Sequence, residues 1–282
     1  MSTFRKIQSI HIAPETMMGP IKLRQAFPLQ GMQQVSPFIL LHHFDNTYKP
    51  HENNFNVPPH PHRGFSPITF MFEGSIEHED SLGNKKVIGD NEVQWINAGR
   101  GLIHSEKADK EFIERGGRSQ GIQLWINTPK AQKMLEPTYQ PITKDEIVLI
   151  EKEGVELRLV SGKYMDKKGP AKSDVFTAML RMKSGSEQTF SFPVSNNVAF
   201  YVLEGELKVN DNVTAKQHSL IAFEHEEAEI KLNASSDAKL LLMAGDPINE
   251  PLVTHGPFVM TSQTEIMEAM RDYQEGKMGF LY

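Results

Sequence analysis

Two pairs of residues in this chain have the types and spacing to hold a metal ion. His60 and His62 stand two apart in "HPHRGF", and His104 and Glu106 stand two apart in "GLIHSEKA". In a strand, residues i and i+2 point to the same face, so Pro61 and Ser105 turn away. Two strands that bring both pairs into one barrel would converge three imidazoles and a carboxylate. That donor set suits a divalent first-row metal. It leaves one or two positions open for water, dioxygen or a substrate oxygen, as a catalytic site requires. Taken alone, a histidine pair on a strand also suits a surface feature or a hydrogen-bonded buried group. The other histidines carry weaker signals. His42 and His43 are adjacent, so a strand turns them to opposite faces and a structural role is expected. His11, His51, His218, His225 and His255 are scattered singly. His78, in "IEHED", lies on a charged stretch and is expected to be solvated or to stand behind a ligand.

The composition narrows the chemistry. The 282 residues include no cysteine, which excludes disulfides, thiolate metal sites and cysteine nucleophiles. Any metal must therefore be held by imidazole nitrogen and carboxylate oxygen. A net charge of −6 gives no reason to expect direct nucleic-acid binding. No apolar run approaches the roughly 18 residues of a membrane helix. The start, "MSTFRKIQSIHIAPETMMG", lacks the apolar core of a signal peptide, so a cytoplasmic protein is expected.

These residues must be positioned by strands. "SPITFMFEG", "SIEHEDSLGN", "KKVIGDNEVQWINAG", "GLIHSEKA" and "GIQLWIN" follow one another with Gly, Asn and Pro at the breaks, the pattern of a sandwich or barrel. "TPKAQKMLEPTYQPITKDEI", residues 128–147, is polar and reads as a connection between domains with a short helical turn. A second strand-rich stretch follows, with "VELRLVSG", "VFTAMLRM", "VAFYVLEGELKVND" and "AKLLLMAGD". Phe72-Glu73-Gly74 aligns with Leu203-Glu204-Gly205 at an offset of 131 residues, which suggests two copies of one β-domain. "TEIMEAMRDYQEGKMGF", residues 264–280, is the one well-patterned helix. Ile266, Met267, Met270 and Tyr273 recur at helical spacing, and Gly276 ends the run.

Together, "HPHRGF…FEG…EHEDSLGN…VQWINAGRGLIHSE" resembles the signature of the pirin family, within the cupin superfamily. The resemblance runs from "SPFILLHHFD" through "GIQLWIN" and "LEPTYQ" to "HGPFVM" at 255–260, nearly the whole chain. It implies an all-β protein of two tandem cupin domains, antiparallel jelly-roll barrels, with a short C-terminal helix. Residues 1–137 would form the metal-binding barrel, and 138–282 a barrel without ligands that ends in the helix. Carried over by motif, the metal ligands are His60, His62, His104 and Glu106. The family's metal is usually iron, here Fe(II), although such a set also accepts Zn, Mn, Co, Ni or Cu. The 131-residue offset sends His60 and His62 to Ser191 and Pro193, so no second metal is expected. One departure stands out. The general cupin pattern has Glu four residues after its second His, and this chain has Ser66 there.

The resemblance implies a quercetin 2,3-dioxygenase-like oxidoreductase that opens a flavonol-type aromatic substrate with O₂. Glu106, the only carboxylate among the ligands, would serve as both ligand and base. Phe65, Phe70, Phe72, Trp95 and Trp125 would either line an apolar substrate pocket or pack the core. The alternative is a regulatory protein whose metal state governs binding to a transcription factor or metabolic enzyme. A monomer is expected, with no nucleic-acid or membrane partner.

Overall fold

The computed structural model describes residues 4–52 and 55–281. Strands dominate it. Among the described residues there are two α-helices, α1 (Lys110–Arg115) and α2 (Gln263–Gln274), and a 3-10 turn at Lys130–Gln132. In chain order the first twelve strands are β1 (Ile7–Ile12), β2 (Glu15–Met18), β3 (Ile21–Phe27), β4 (Phe38–Tyr48), β5 (Asn56–His62), β6 (Phe65–Glu73), β7 (Ile76–Asp80), β8 (Lys85–Ile88), β9 (Val93–Asn97), β10 (Leu102–Lys107), β11 (Gly117–Asn127) and β12 (Thr138–Ile142). Among the described residues, no helix is long and apolar enough to cross a membrane.

The chain divides into two compact units, and neither is continuous in sequence. One comprises Met17–Leu23, Phe38–Lys144 and the chain from Ile248 onward. It is built from a seven-stranded sheet in the order β12-β9-β6-β11-β4-β3-β2 and a four-stranded sheet in the order β5-β10-β7-β8. The side-chain patterns explain the layers. β6, "FSPITFMFE", is apolar and buried on both faces, as a central strand covered on both sides must be. β7, "IEHED", alternates instead. Ile76, His78 and Asp80 turn inward, while Glu77 and Glu79 turn out to meet Lys85 and Lys107.

The other unit takes the N-terminal residues up to Thr16, Arg24–Pro37 and Asp145–Pro247. Its seven-stranded sheet runs β1, Ser219–Phe223, Asn197–Glu204, Ala238–Gly245, Phe176–Met182, Val155–Ser161 and Val148–Lys152. The order repeats that of the first unit, with Asn197–Glu204 in the place of β6. The repeat read from "FEG" and "LEG" is therefore a real correspondence. Gly74 and Gly205 both end the equivalent strand with positive φ, 85° and 82°, where a side chain is strained. The interior of this unit is filled by apolar side chains, among them Phe190, Phe200, Phe223, Leu240 and Leu242. Ser191 and Pro193 lie in irregular chain just after the strand Glu187–Phe190.

Three expectations need correction. The boundary after residue 137 falls immediately before β12, which pairs with β9 inside the unit that carries His60, His62 and His104. The stretch 128–147 is thus partly a strand. Its polar character reflects an edge position, where Pro141 costs no ladder bond within a central strand. β1, first in sequence, pairs with Ser219–Phe223 of the other unit. The C-terminal helix is present, but it buries Ile266 and Ala269. Met267 is largely exposed, and Met270 and Tyr273 are partly so.

Candidate metal centre

His60, His62 and His104 come together. Their potential ligand nitrogens all lie within 4.8 Å of one another. The ring centroids of His60 and His104 are 4.4 Å apart, and those of His62 and His104 are 4.9 Å apart. The ladder between β5 and β10 explains this: His60 is the direct partner of His104, and His62 of Leu102. Directly opposed residues in an antiparallel pair share a face. Beyond His104 the register slips, because Pro58 and Pro59 donate no ladder bonds and a bulge forms before Val57 meets Glu106. The slip also brings the Pro58 carbonyl 2.9 Å from His60 Nδ1. That nitrogen donates, so Nε2 of His60 keeps its lone pair.

Burial tunes the other two imidazoles. His62 and His104 are held well below the ordinary histidine range, first by burial and then by the neighbouring imidazoles. Both are neutral near pH 7, as a ligand must be. His104 Nε2 and both ring nitrogens of His62 are buried and make no full hydrogen bond. Buried polar atoms normally find partners. Three imidazoles whose ligand nitrogens gather within 4.8 Å, two of them buried with nitrogens short of a partner, fit a metal ion.

Glu106 is buried on the same strand but stands outside this trio. Its Oε1 accepts from Gln94 Nε2 and, at 3.4 Å, from Thr69 Oγ1. Those two residues belong to a polar row on the facing sheet. His42, Gln123, Thr69 and Gln94 are successive cross-strand partners on β4, β11, β6 and β9, so they share one face. His42, Gln123, Thr69 and Glu106 line a small cavity of about 20 Å³ with Phe44 and Phe55. His42 is pushed down to about 4 by burial.

Several expectations about side chains change here. His42 and His43 do face opposite ways, yet His42 belongs to the cavity wall. Of the two places expected for His78, the structure shows the one behind His104: the ring is fully buried and its Nδ1 lies 3.4 Å from His104 Nδ1. The signal for it was present: "HED" repeats the two-residue spacing of the other pairs. Of the aromatics, Phe65 and Trp125 reach His62, at ring-centroid distances of 5.0 and 5.4 Å. Phe70, Phe72 and Trp95 have the opposite strand parity and pack the core. Ser66 shares that parity. Phe65 and Thr69 face the histidines, so Ser66 turns to the far side of β6, and a glutamate there would not reach the site.

The comparisons with known proteins agree with this arrangement. The Pirin family model matches residues 20–126, and the model of the Pirin C-terminal cupin domain matches 177–279. A pirin-like protein of Solanum lycopersicum is 36% identical over 267 residues, spanning 92% of this chain and 87% of that protein. Pirin-1 of Arabidopsis thaliana is 38% identical over 253 residues, with 87% and 84% covered. A crystal structure of quercetin 2,3-dioxygenase from Acinetobacter baumannii superposes with a TM-score of 0.93 at 33% identity, over 99% of this chain and 100% of that one. A trio of converging histidines on a bicupin scaffold and matches along nearly the full length lead to one conclusion: this chain belongs to the pirin family.

Proposed function

We propose that this bicupin is a metal-dependent dioxygenase acting on flavonol-type, quercetin-like aromatic substrates, with Fe(II) held by His60, His62, His104 and Glu106. The observation that carries the reading is the meeting of three imidazoles, of which His62 and His104 are buried and neutral and His104 keeps a buried Nε2 without a protein partner. A metal bound there supplies Lewis acidity toward a substrate oxygen and redox chemistry toward dioxygen. The protein supplies the rest. Glu106 is the carboxylate beside the histidines and takes the proton of the substrate hydroxyl. Gln94 and Thr69 hold its Oε1 in place. The cavity beside it has room for a water-sized molecule, so the flavonol rings approach from the side of His60, the least buried of the three histidines. Phe65 and Trp125 are the aromatic surfaces nearest that imidazole trio. The name of the Acinetobacter relative supports this substrate class. A cytoplasmic site of action is part of the same reading.

Elemental analysis of protein purified without added metal should find about one metal per chain. His60→Ala and His104→Ala should lose most of it, since each removes a coordination bond. Flavonol should then be consumed in air and not under anaerobic conditions. Two metals per chain, or full loading of a variant carrying both His60→Ala and His104→Ala, refutes the single site. A fully loaded protein inert toward flavonols in air would instead point to the regulatory reading.

A further inference from the structure

We propose that Asp80, acting through His78, positions His104 as a ligand by fixing its tautomer. This rests on the reading that the three histidines hold a metal. The argument follows the protons from the outside inward. Asp80 is fully engaged. Its Oδ1 accepts from the backbone N–H groups of Leu82 and Asn84, at 2.9 and 3.0 Å, and from Asn84 Nδ2 at 3.1 Å. Its Oδ2 accepts from Asn84 Nδ2 at 2.9 Å and from His78 Nε2 at 3.1 Å. A carboxylate only accepts, so the proton of His78 is on Nε2. In the neutral imidazole the Nδ1 of His78 is then a lone pair, and it faces His104 Nδ1 at 3.4 Å, a long hydrogen bond. His104 must donate there. Its Nε2 keeps the lone pair, and this is the buried nitrogen that has no protein partner.

The fold makes the chain of contacts rigid. On the ladder between β10 and β7, His104 is the partner of Asp80 and Glu106 is the partner of His78. All four side chains therefore share the inner face. Tyr139 of β12 stacks flat on His78, with centroids 4.2 Å apart and planes 2° apart, which opposes rotation of the ring. A ligand imidazole is commonly oriented by a carboxylate on its far nitrogen. Here a second imidazole is inserted between carboxylate and ligand, and one buried negative charge sets the tautomer of both rings. His78 and Asp80 are positioning residues in this scheme and touch neither metal nor substrate.

The test begins with the apoprotein. Nitrogen-15 NMR of the histidine rings should place the proton of His104 on Nδ1. In Asp80→Asn, the three donors at Oδ1 require an oxygen there, so the amide nitrogen takes the Oδ2 position and donates to His78 Nε2. The proton of His78 then moves to Nδ1, and His104 is driven to the Nε2–H form, which cannot ligate. Zinc affinity, measured with Zn(II) alone against a competing chelator, should fall roughly 10- to 100-fold. His78→Phe keeps the stack on Tyr139 and removes the relay, and its affinity should fall about tenfold. It serves as the deciding variant should Asp80→Asn fail to fold by near-UV circular dichroism. A wild-type His104 protonated on Nε2, or wild-type zinc affinity in a folded relay variant, overturns the proposal alone. A wild-type chain that takes up no metal overturns the underlying metal reading and the proposal with it.

Discussion

At the scale of single residues, Glu106 and His42 are the two side chains whose roles separate most clearly by experiment. Glu106→Gln keeps the size of the side chain and removes its charge and its basicity. Loss of a general base costs about 10²- to 10⁴-fold in rate. Turnover per bound metal should therefore fall by at least a hundredfold, with three imidazoles left to hold the ion. Equal losses of metal and turnover would reduce Glu106 to a ligand. His42 offers a test without any substrate. Burial holds it down to about 4, against about 6.5 in an unfolded chain. A depressed histidine favours folding above the unfolded value, and that contribution fades as pH drops from about 6.5 toward 4, because the unfolded imidazole takes its proton first. The full difference is worth up to about 3 kcal/mol. His62 and His104 are lowered by burial as well, so the informative quantity is the gap between wild type and His42→Asn. Denaturant midpoints at pH 7 and pH 4.5 should converge for that pair as the pH falls. A constant gap would mean that His42 does not titrate differently in the two states.

At the scale of elements, the strand that carries His60 and His62 is pinned by the C-terminal segment. Arg63 follows His62 directly, and its Nη1 bonds Asp272 Oδ2 of α2 at 3.0 Å, while its Nε donates to the Arg100 carbonyl at 2.5 Å. The Arg63 side chain is only 4% exposed. Asp272 is held down to about 2, most strongly by Lys277 and then by Arg63. The helix begins well: Ser262 accepts from the Glu265 N–H, and the Glu265 carboxylate reaches back to Thr261. Its inner face is short, with Ile266 and Ala269 packed against Ile103, Phe258 and Met260. A helix with so small an apolar contact depends on its polar anchor. Asp272→Ala leaves a buried guanidinium short of its partner and should cost about 2 kcal/mol. Amide exchange should accelerate in α2 before it does so in β6 or β11. Exchange unchanged in α2 would show that the apolar contact suffices.

At the scale of the whole molecule, each unit gathers segments distant in sequence. The unit that holds the histidines needs β12 at one edge of its large sheet and the chain beyond Ile248 against Ile103 of β10 and Phe65 of β6. A fragment of residues 1–137 has neither. It would expose Ile103 and Phe65, which are buried with Phe258, Met260 and Val259, and leave β9 with an open edge. It would also carry β1, whose pairing partner Ser219–Phe223 it lacks. Such a fragment should give a poorly dispersed amide spectrum and aggregate. A folded, zinc-binding 1–137 would overturn this view of the unit.

Much of the site was legible in the chain because strand alternation is a local rule. Two-residue spacing was enough to pair His60 with His62 and His104 with Glu106, and the absence of cysteine restricted the donors to nitrogen and oxygen. The "FEG" and "LEG" match was enough to suggest two equivalent barrels. What stayed hidden depends on register and sheet order, which are set by contacts between distant segments. That His42, Gln123, Thr69 and Gln94 form one row follows from four strands lying side by side in one register. That Ser66 faces away follows from Phe65 and Thr69 facing inward. That His78 and Asp80 stand behind His104 follows from β7 pairing with β10, and only tertiary structure chooses that neighbour. The sequence by itself determined which atoms could bind a metal and on which strands they lie. The folded chain alone decided which of them meet, because a barrel closes through long-range pairings that no local pattern encodes.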